Sequence, residues 1–331
     1  MAARKASEPA PAPLTKYFYD LTPERILDAF DAAGIACNPA VRFLNSLENR
    51  VAQVEDLEGE RWVAKFYRPG RWSRDAVAEE HRFLADLRAA DVPVSSPVLL
   101  PRFGETIGET AGIFFAVFPH QAGRPPDELS VRQVHELGDL VARVHEVGSK
   151  RKAQHRPGWT VAEPGRRDLE ILDSERVMPA ETWARYKKAV EPLLPIARER
   201  LKGVEMIRIH GDFHRGNLLW PSLGPVVVDF DDMAMGPPVQ DLWMLLPGRD
   251  PESLEQRDAF LNAYEKRRPF ERRTIGLIEV LRALRYVRYA AWLAQRRLDP
   301  AFKRVLYEYG TSSYWRQEIT ELEAQLRLIS R

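Results

Sequence analysis

Between His210 and Asp229 the chain reads His-Gly-Asp-Phe-His-Arg-Gly-Asn, then Leu218-Leu219-Trp220, a Pro/Gly turn, and Val226-Val227-Val228-Asp229. No other stretch restricts the possible folds as much. Asp212 and Asn217 are separated by four residues, and Asp229 closes a β-branched run that reads as a strand. Moving a phosphoryl group off a nucleotide needs one carboxylate beside the attacking hydroxyl, and oxygen ligands that hold magnesium against the phosphates. Asp212, Asn217 and Asp229 supply that set in a workable order. Each alone would read as a turn former, because Asp and Asn side chains hydrogen-bond nearby backbone. It is the combination that points to catalysis. His210 and His214 sit four apart, but without a His-Glu-x-x-His pattern, and on a loop that spacing defines no common face; zinc is the weaker reading.

Composition narrows the setting. The chain has 331 residues, 49 basic against 48 acidic, which suits one two-lobed domain or two small ones and gives no electrostatic case for nucleic acid as a partner. The single cysteine, Cys37, excludes an intramolecular disulfide and fits a reducing, cytoplasmic protein. No apolar run is long enough to span a bilayer, and the N-terminus lacks a signal-peptide core, so a soluble chain with no membrane partner is expected. No heptad seam is visible, which predicts a monomer.

Residues 1–20 are Ala/Pro-rich and read as a disordered tail. Thr22-Pro23 then starts a helix that Gly34 ends. Strands are expected over 41–44, 50–55 and 61–67, with Glu58-Gly59 turning the last pair, and a helix follows with Ser73 as its N-cap. The run Ile113 to Phe118 is a buried strand completing a small sheet. Ser130 to Gln133 is a capping box opening a helix to about Gly148, in which His145 reads as structural. Residues 150–178 look irregular. Helix resumes over 181–202, interrupted at Pro195, and a short helix over 238–246 contains Asp241. Three further helical stretches finish the chain. Arginines 282, 285, 288, 296 and 297, interleaved with apolar residues, read as the solvated side of a buried helix.

Lys65 lies within the third strand and Glu80 on the helix after it, sharing a face with Leu84 and Leu87. A strand lysine held by a helical glutamate is how kinases orient the α- and β-phosphates. Glu80 fits that role better than Glu79. The Asp212 to Asn217 spacing is likewise that of a protein-kinase catalytic loop.

Together, His210-Gly211-Asp212-x-His214-x-Gly216-Asn217 and the strand-terminal Asp229 resemble the aminoglycoside phosphotransferase and choline kinase group of the protein-kinase-like fold. Leu44 to Val51, Ala64 to Pro69, Phe114 to Pro119 and Pro238 to Leu246 look more closely like a branch of bacterial protein kinases tied to stress. The resemblance implies an α+β, bilobal fold: a β-rich N-lobe over 21–118 and a mostly helical C-lobe over 119–331. It implies an ATP- and magnesium-dependent kinase acting on Ser or Thr of protein substrates, with a small-molecule hydroxyl as the alternative acceptor. By position, Asp212 and Asp229 would be catalytic, and Asn217 and Asp229 would ligate magnesium. Ser46, Asn49, Lys65 and Glu80 would serve the phosphates, and backbone at Val117 and Phe118 the adenine.

The departures matter too. Residues 45–50 contain no glycine, so backbone N–H groups with the Ser46 and Asn49 side chains are expected to hold the phosphates. Gly211 stands where protein kinases place arginine, and Asp229-Phe230-Asp231 lacks the usual third glycine. Only eleven residues separate Asp229 from Asp241, and from 232 to 241 there is no Ser, Thr or Tyr. An enzyme not switched on by activation-loop phosphorylation is predicted.

Overall fold

The computed structural model describes residues 18–19, 21–158, 165–299, 302 and 307–330. It is α+β and divides into two compact units, residues 1–124 with 219–229, and residues 125–218 with 230–331. No described helix is long and apolar enough to cross a membrane.

In the first unit, helix α1 (Pro23–Ala33) starts where Thr22 Oγ1 accepts the Arg25 N–H and stops at Gly34, whose φ of 86° is left-handed. It buries Ile26, Ala29, Phe30 and Ala33, a single helical face. Strands β1 (Arg42–Leu44), β2 (Arg50–Glu55), β3 (Arg61–Phe66), β4 (Gly108–Thr110) and β5 (Ile113–Pro119) form one antiparallel sheet in the order β1-β2-β3-β5-β4. Helix α2 (Arg74–Ala89), capped by Ser73, buries Val77, Glu80, Phe83, Leu84 and Leu87. Most of the expected tail, 1–17 and 20, lies outside the described residues, but Phe18 and Leu21 are buried in the apolar core of this unit.

The expected boundary near residue 118 shifts, because chain from the catalytic segment joins this unit. Strand β7 (Leu218–Leu219) forms a hairpin with β8 (Val226–Val227). Val227 then exchanges backbone hydrogen bonds with the segment after α2: its N–H donates to Pro93 O at 2.9 Å and its carbonyl accepts from Ser95 N–H at 3.0 Å. Trp220 N–H donates to Arg124 O at 3.1 Å.

The second unit is mostly helical. Helix α3 (Val131–Ser149) begins at the expected capping box, Ser130 with Gln133. Residues 150–178 are not wholly irregular, since Arg166–Glu175 form α4, which buries Leu172. Helices α5 (Ala180–Val190) and α6 (Leu193–Leu201) break at Pro192 rather than at Pro195. Pro195 falls in the first turn of α6, where no N–H is required of it. Strand β6 (Ile207–Ile209) pairs antiparallel with β9 (Ala234–Gly236). Helix α7 (Val239–Leu245) is buried along its whole length, and α8 (Pro251–Glu265), α9 (Ile278–Arg296) and α10 (Ser312–Ile329) follow. Leu172, Tyr186, Val190, Leu193, Leu284, Val287, Trp315 and Leu322 join α4, α5, α6, α9 and α10 in one core.

Candidate active site

Within the first unit, the pleat of β3 sets Lys65 next to α2 and to the end of β8. Its ammonium lies 2.9 Å from Asp229 Oδ1 and 3.4 Å from Glu80 Oε1. Lys65 and Glu80 are buried, while the Asp229 side chain is half exposed. Asp229 has a φ of 60°, uncommon for a residue with a Cβ, so the chain holds it in a strained conformation at the strand end.

The loop between β1 and β2 is pinned without glycine. Ser46 Oγ accepts the Asn49 N–H at 3.3 Å, and buried Asn49 accepts the Arg68 N–H on Oδ1 at 3.2 Å. Arg68 reaches back to the carbonyls of Glu48 at 2.9 Å and Leu47 at 3.2 Å, and its Nε is 3.3 Å from the Glu48 carboxylate. Asn49, expected at the phosphates, thus has its amide oxygen engaged in holding the loop itself. Arg68 was missed as a loop anchor because its partners are backbone carbonyls, which leave no mark in sequence. The Val117 carbonyl accepts the Val98 N–H at 2.8 Å, and Phe118 lies opposite Val63 in the sheet. That engages the Val117 carbonyl, expected at the adenine, within the fold.

In the second unit, Asp241 organises the catalytic loop. Its Oδ2 and Oδ1 accept the His210 and Gly211 N–H groups, each at 2.9 Å, and buried His145 lies 3.1 Å from Oδ2. The other nitrogen of His145 is 3.0 Å from the Tyr264 hydroxyl. His145 is structural, as expected. The His210 ring is packed between Phe213 and Phe230, with centroids 4.8 and 4.6 Å away. Gly211 has φ 85°, and a Cβ there would run into the Asp232 carbonyl oxygen. This close approach explains a glycine at the position.

Asp212 sits on this frame. Its carbonyl accepts from Asn217 Nδ2 at 3.0 Å. Burial alone would raise the Asp212 pKa, but the His214 hydrogen bond and the Arg285 charge outweigh it and hold the carboxyl well below the usual carboxylate range. His214 Nε2 is 3.4 Å from Asp212 Oδ2, and Arg285 Nη2 is 2.9 Å from Oδ1.

The arginines of α9 are therefore not simply a solvated face. Arg285 meets Asp212, Arg288 lies 3.3 Å from Asp232, Arg282 stacks on Trp243 at 5.1 Å, and Arg297 pairs with Glu175. Helical periodicity could place Arg285 and Arg288 on one face, but nothing in the sequence names a partner so distant along the chain. Of the acidic residues near and on α4, Glu163 lies outside the described residues and Glu170 and Asp173 are exposed. Burial raises the pKa of Asp168, opposed by the charges of Arg288 and Arg167.

Magnesium fits the donors present. The amide oxygen of Asn217 in the second unit and the half-exposed carboxylate of Asp229 in the first are each a hard oxygen donor of the kind that ion takes. Among the described residues no group of three or more His, Cys, Asp or Glu side chains converges as a metal site.

Comparison with known proteins matches residues 40–278 to the phosphotransferase enzyme family. The chain is 38% identical over 313 residues to stress response kinase A of Salmonella paratyphi A, covering 94% of each chain. It is equally similar, at 38% and the same coverage, to a Salmonella typhimurium protein named serine/threonine protein kinase RdoA. Stress response kinase A of Escherichia coli K12 is 39% identical over 308 residues, 92% of this chain and 93% of the relative. Among solved structures, the fold is shared with an amicoumacin kinase in complex with AMP-PNP, Ca2+ and Ami, at TM-score 0.72 and 19% identity, covering 91% of this chain and 93% of that one. It is shared also with a microcompartment-associated aminopropanol kinase, at TM-score 0.67 and 22% identity, covering 92% and 97%.

Proposed function

We propose, for a chain that belongs to the phosphotransferase enzyme family and within it to the stress response kinase A group, that it transfers the γ-phosphoryl of ATP to Ser or Thr hydroxyls of protein substrates. The observation that carries the chemistry is Asp212, whose carboxylate lies 3.4 Å from His214 Nε2 and 2.9 Å from Arg285 Nη2 and whose carbonyl accepts from Asn217 Nδ2. A protein acceptor is supported by the relative named a serine/threonine protein kinase, which matches along 94% of this chain.

In this mechanism Lys65, steadied by Glu80, neutralises nucleotide phosphate, as a strand lysine does in other kinases. Backbone N–H groups of the pinned loop at 45–49 serve the phosphates with Ser46, and the backbone around Phe118 serves adenine. Magnesium, held by Asn217 and Asp229, would neutralise charge that builds on the phosphates. Asp212 orients the acceptor hydroxyl and takes its proton as the oxygen bonds to the γ-phosphorus. The bond from that phosphorus to the bridging oxygen breaks, ADP leaves, and Asp212 passes the proton to solvent.

The test is purified protein with γ-labelled ATP, alone, with a protein extract and with a metabolite panel. Label in protein that alkali removes and acid spares, lost in Asp212→Ala while ATP binding persists, is the expected result. Label confined to metabolites would transfer the assignment to a small-molecule kinase, and near-normal turnover in Asp212→Ala would remove Asp212 from the mechanism.

A further inference from the structure

We propose that Arg285 selects the acceptor: it recognises an anionic group carried beside the hydroxyl, and so favours Ser or Thr within an acidic stretch of protein. This rests on Asp212 being the residue that receives the hydroxyl, and it deepens that assignment.

Both carboxylate oxygens of Asp212 have a partner, Arg285 at 2.9 Å on Oδ1 and His214 at 3.4 Å on Oδ2. Oδ1 is buried and receives no directed hydrogen bond, so the guanidinium contact is one of charge. Any acceptor reaching Asp212 arrives beside a guanidinium whose side chain is 37% exposed. One turn further along α9, Arg288 is 47% exposed and lies 3.3 Å from Asp232 Oδ1. Two half-exposed arginines spaced i and i+3 thus face carboxylates of the catalytic segment.

The charge consequences are opposite for the two kinds of acceptor. When Asp212 turns to a hydroxyl, Arg285 loses part of its counter-charge. A carboxylate next to that hydroxyl restores it, in the planar two-point geometry a guanidinium offers. A cationic acceptor brings like charge against Arg285 with no carboxylate to spare, since Asp232 is engaged by Arg288. His210, His214, Tyr289, Arg288, Asp232 and Asp168 are other charged or titratable groups of the second unit around this face, and both acids among them feel the charge of Arg288.

The experiment uses the full chain and three fluorescent peptides with one Ser flanked by Glu, Ala or Lys. Anisotropy in the presence of ADP reads binding, and transfer from γ-labelled ATP reads kcat/KM on the same peptides. Wild type should favour the Glu-flanked over the Lys-flanked peptide by roughly tenfold in both readouts. R285Q should lose the preference and R285E should reverse it. R285Q keeps a polar side chain without the charge, so the test survives if R285E folds poorly. Charge preference unchanged in R285Q and R285E overturns the proposal, as does a wild type that prefers Ala or Lys flanks. Charge-dependent binding without transfer to any peptide upholds the recognition role and defeats the protein-kinase assignment. Transfer without charge dependence does the reverse.

Discussion

Asp241 and His145 meet at 3.1 Å, both side chains wholly shielded from solvent, and the same carboxylate accepts the backbone N–H groups of His210 and Gly211. One side chain on α7 thereby sets the backbone just before Asp212. Asp241→Ala would remove the partner of two backbone N–H donors and of one imidazole nitrogen inside the protein. A loss on the order of 3–5 kcal/mol in stability is expected. Asp241→Asn keeps the volume, and should lower kcat roughly 10- to 100-fold while changing ATP affinity little, because the misplaced group is Asp212. Thermal unfolding and steady-state kinetics check both; unchanged kcat in folded Asp241→Asn would refute the positioning role.

Gly211 has no room for a side chain: φ is 85° and the Asp232 carbonyl oxygen occupies the Cβ direction. Gly211→Ala is expected to cost on the order of 1–3 kcal/mol from the dihedral alone, with further loss as the loop moves off Asp232. An arginine here, as in protein kinases, would be tolerated still less. Equilibrium denaturation of Gly211→Ala compared with Gly59→Ala provides the control, since Gly59 also has positive φ, 88°, but open space around it. Equal costs at the two sites would show that the Asp232 contact contributes nothing.

Lys65 bridges Glu80 and Asp229. Lys65→Ala should weaken ATP binding roughly 10- to 100-fold, the range of one or two charge-assisted hydrogen bonds. Glu80→Gln should act in the same direction and more mildly, since it frees Lys65 without removing it. Titration calorimetry with a non-hydrolysable ATP analogue reads both, and an affinity unaffected by Lys65→Ala would separate this lysine from the nucleotide.

Glu318 on α10 has its pKa raised to about 7 by burial and by the charge of Glu321, against a hydrogen bond from Tyr314. The folded chain therefore keeps a proton that the unfolded chain releases once pH exceeds about 4.5. Its contribution to stability is full below pH 4.5 and is lost as pH rises through 7. The difference between the two ends amounts to at most about 3 kcal/mol. Glu318→Gln should be the more stable protein at pH 8 and should flatten the melting-temperature profile between pH 5 and 8, values set by the same pKa shift. A profile identical to wild type would place Glu318 in water.

Local signals were legible where a few neighbouring residues decide the structure. Thr22-Pro23 with Gly34, Ser73, and Ser130 with Gln133 each mark a helix end through contacts of three or four residues, and all three appear as expected. A continuous apolar run marked β5 as a buried strand, and Lys65 lies on β3 as expected. What failed was tertiary. Helix α4 has no side-chain cap and follows Gly165; Leu172 makes it a helix by packing into the core around α9. The hairpin of β7 and β8 belongs with the first unit because Val227 finds backbone partners near Pro93, which no local pattern announces. Arg285 looked like solvent-facing charge because a helix periodicity shows which side is apolar and says nothing of what faces the other side.

The stretch from Phe230 to Asp241 is fully used by the fold: a 3-10 turn over Phe230–Asp232, the Ala234–Gly236 strand paired to β6, and the buried Val239–Leu245 helix. It contains no hydroxyl side chain to carry a modification. An enzyme built this way has no chemical on-switch in that segment to be thrown after translation.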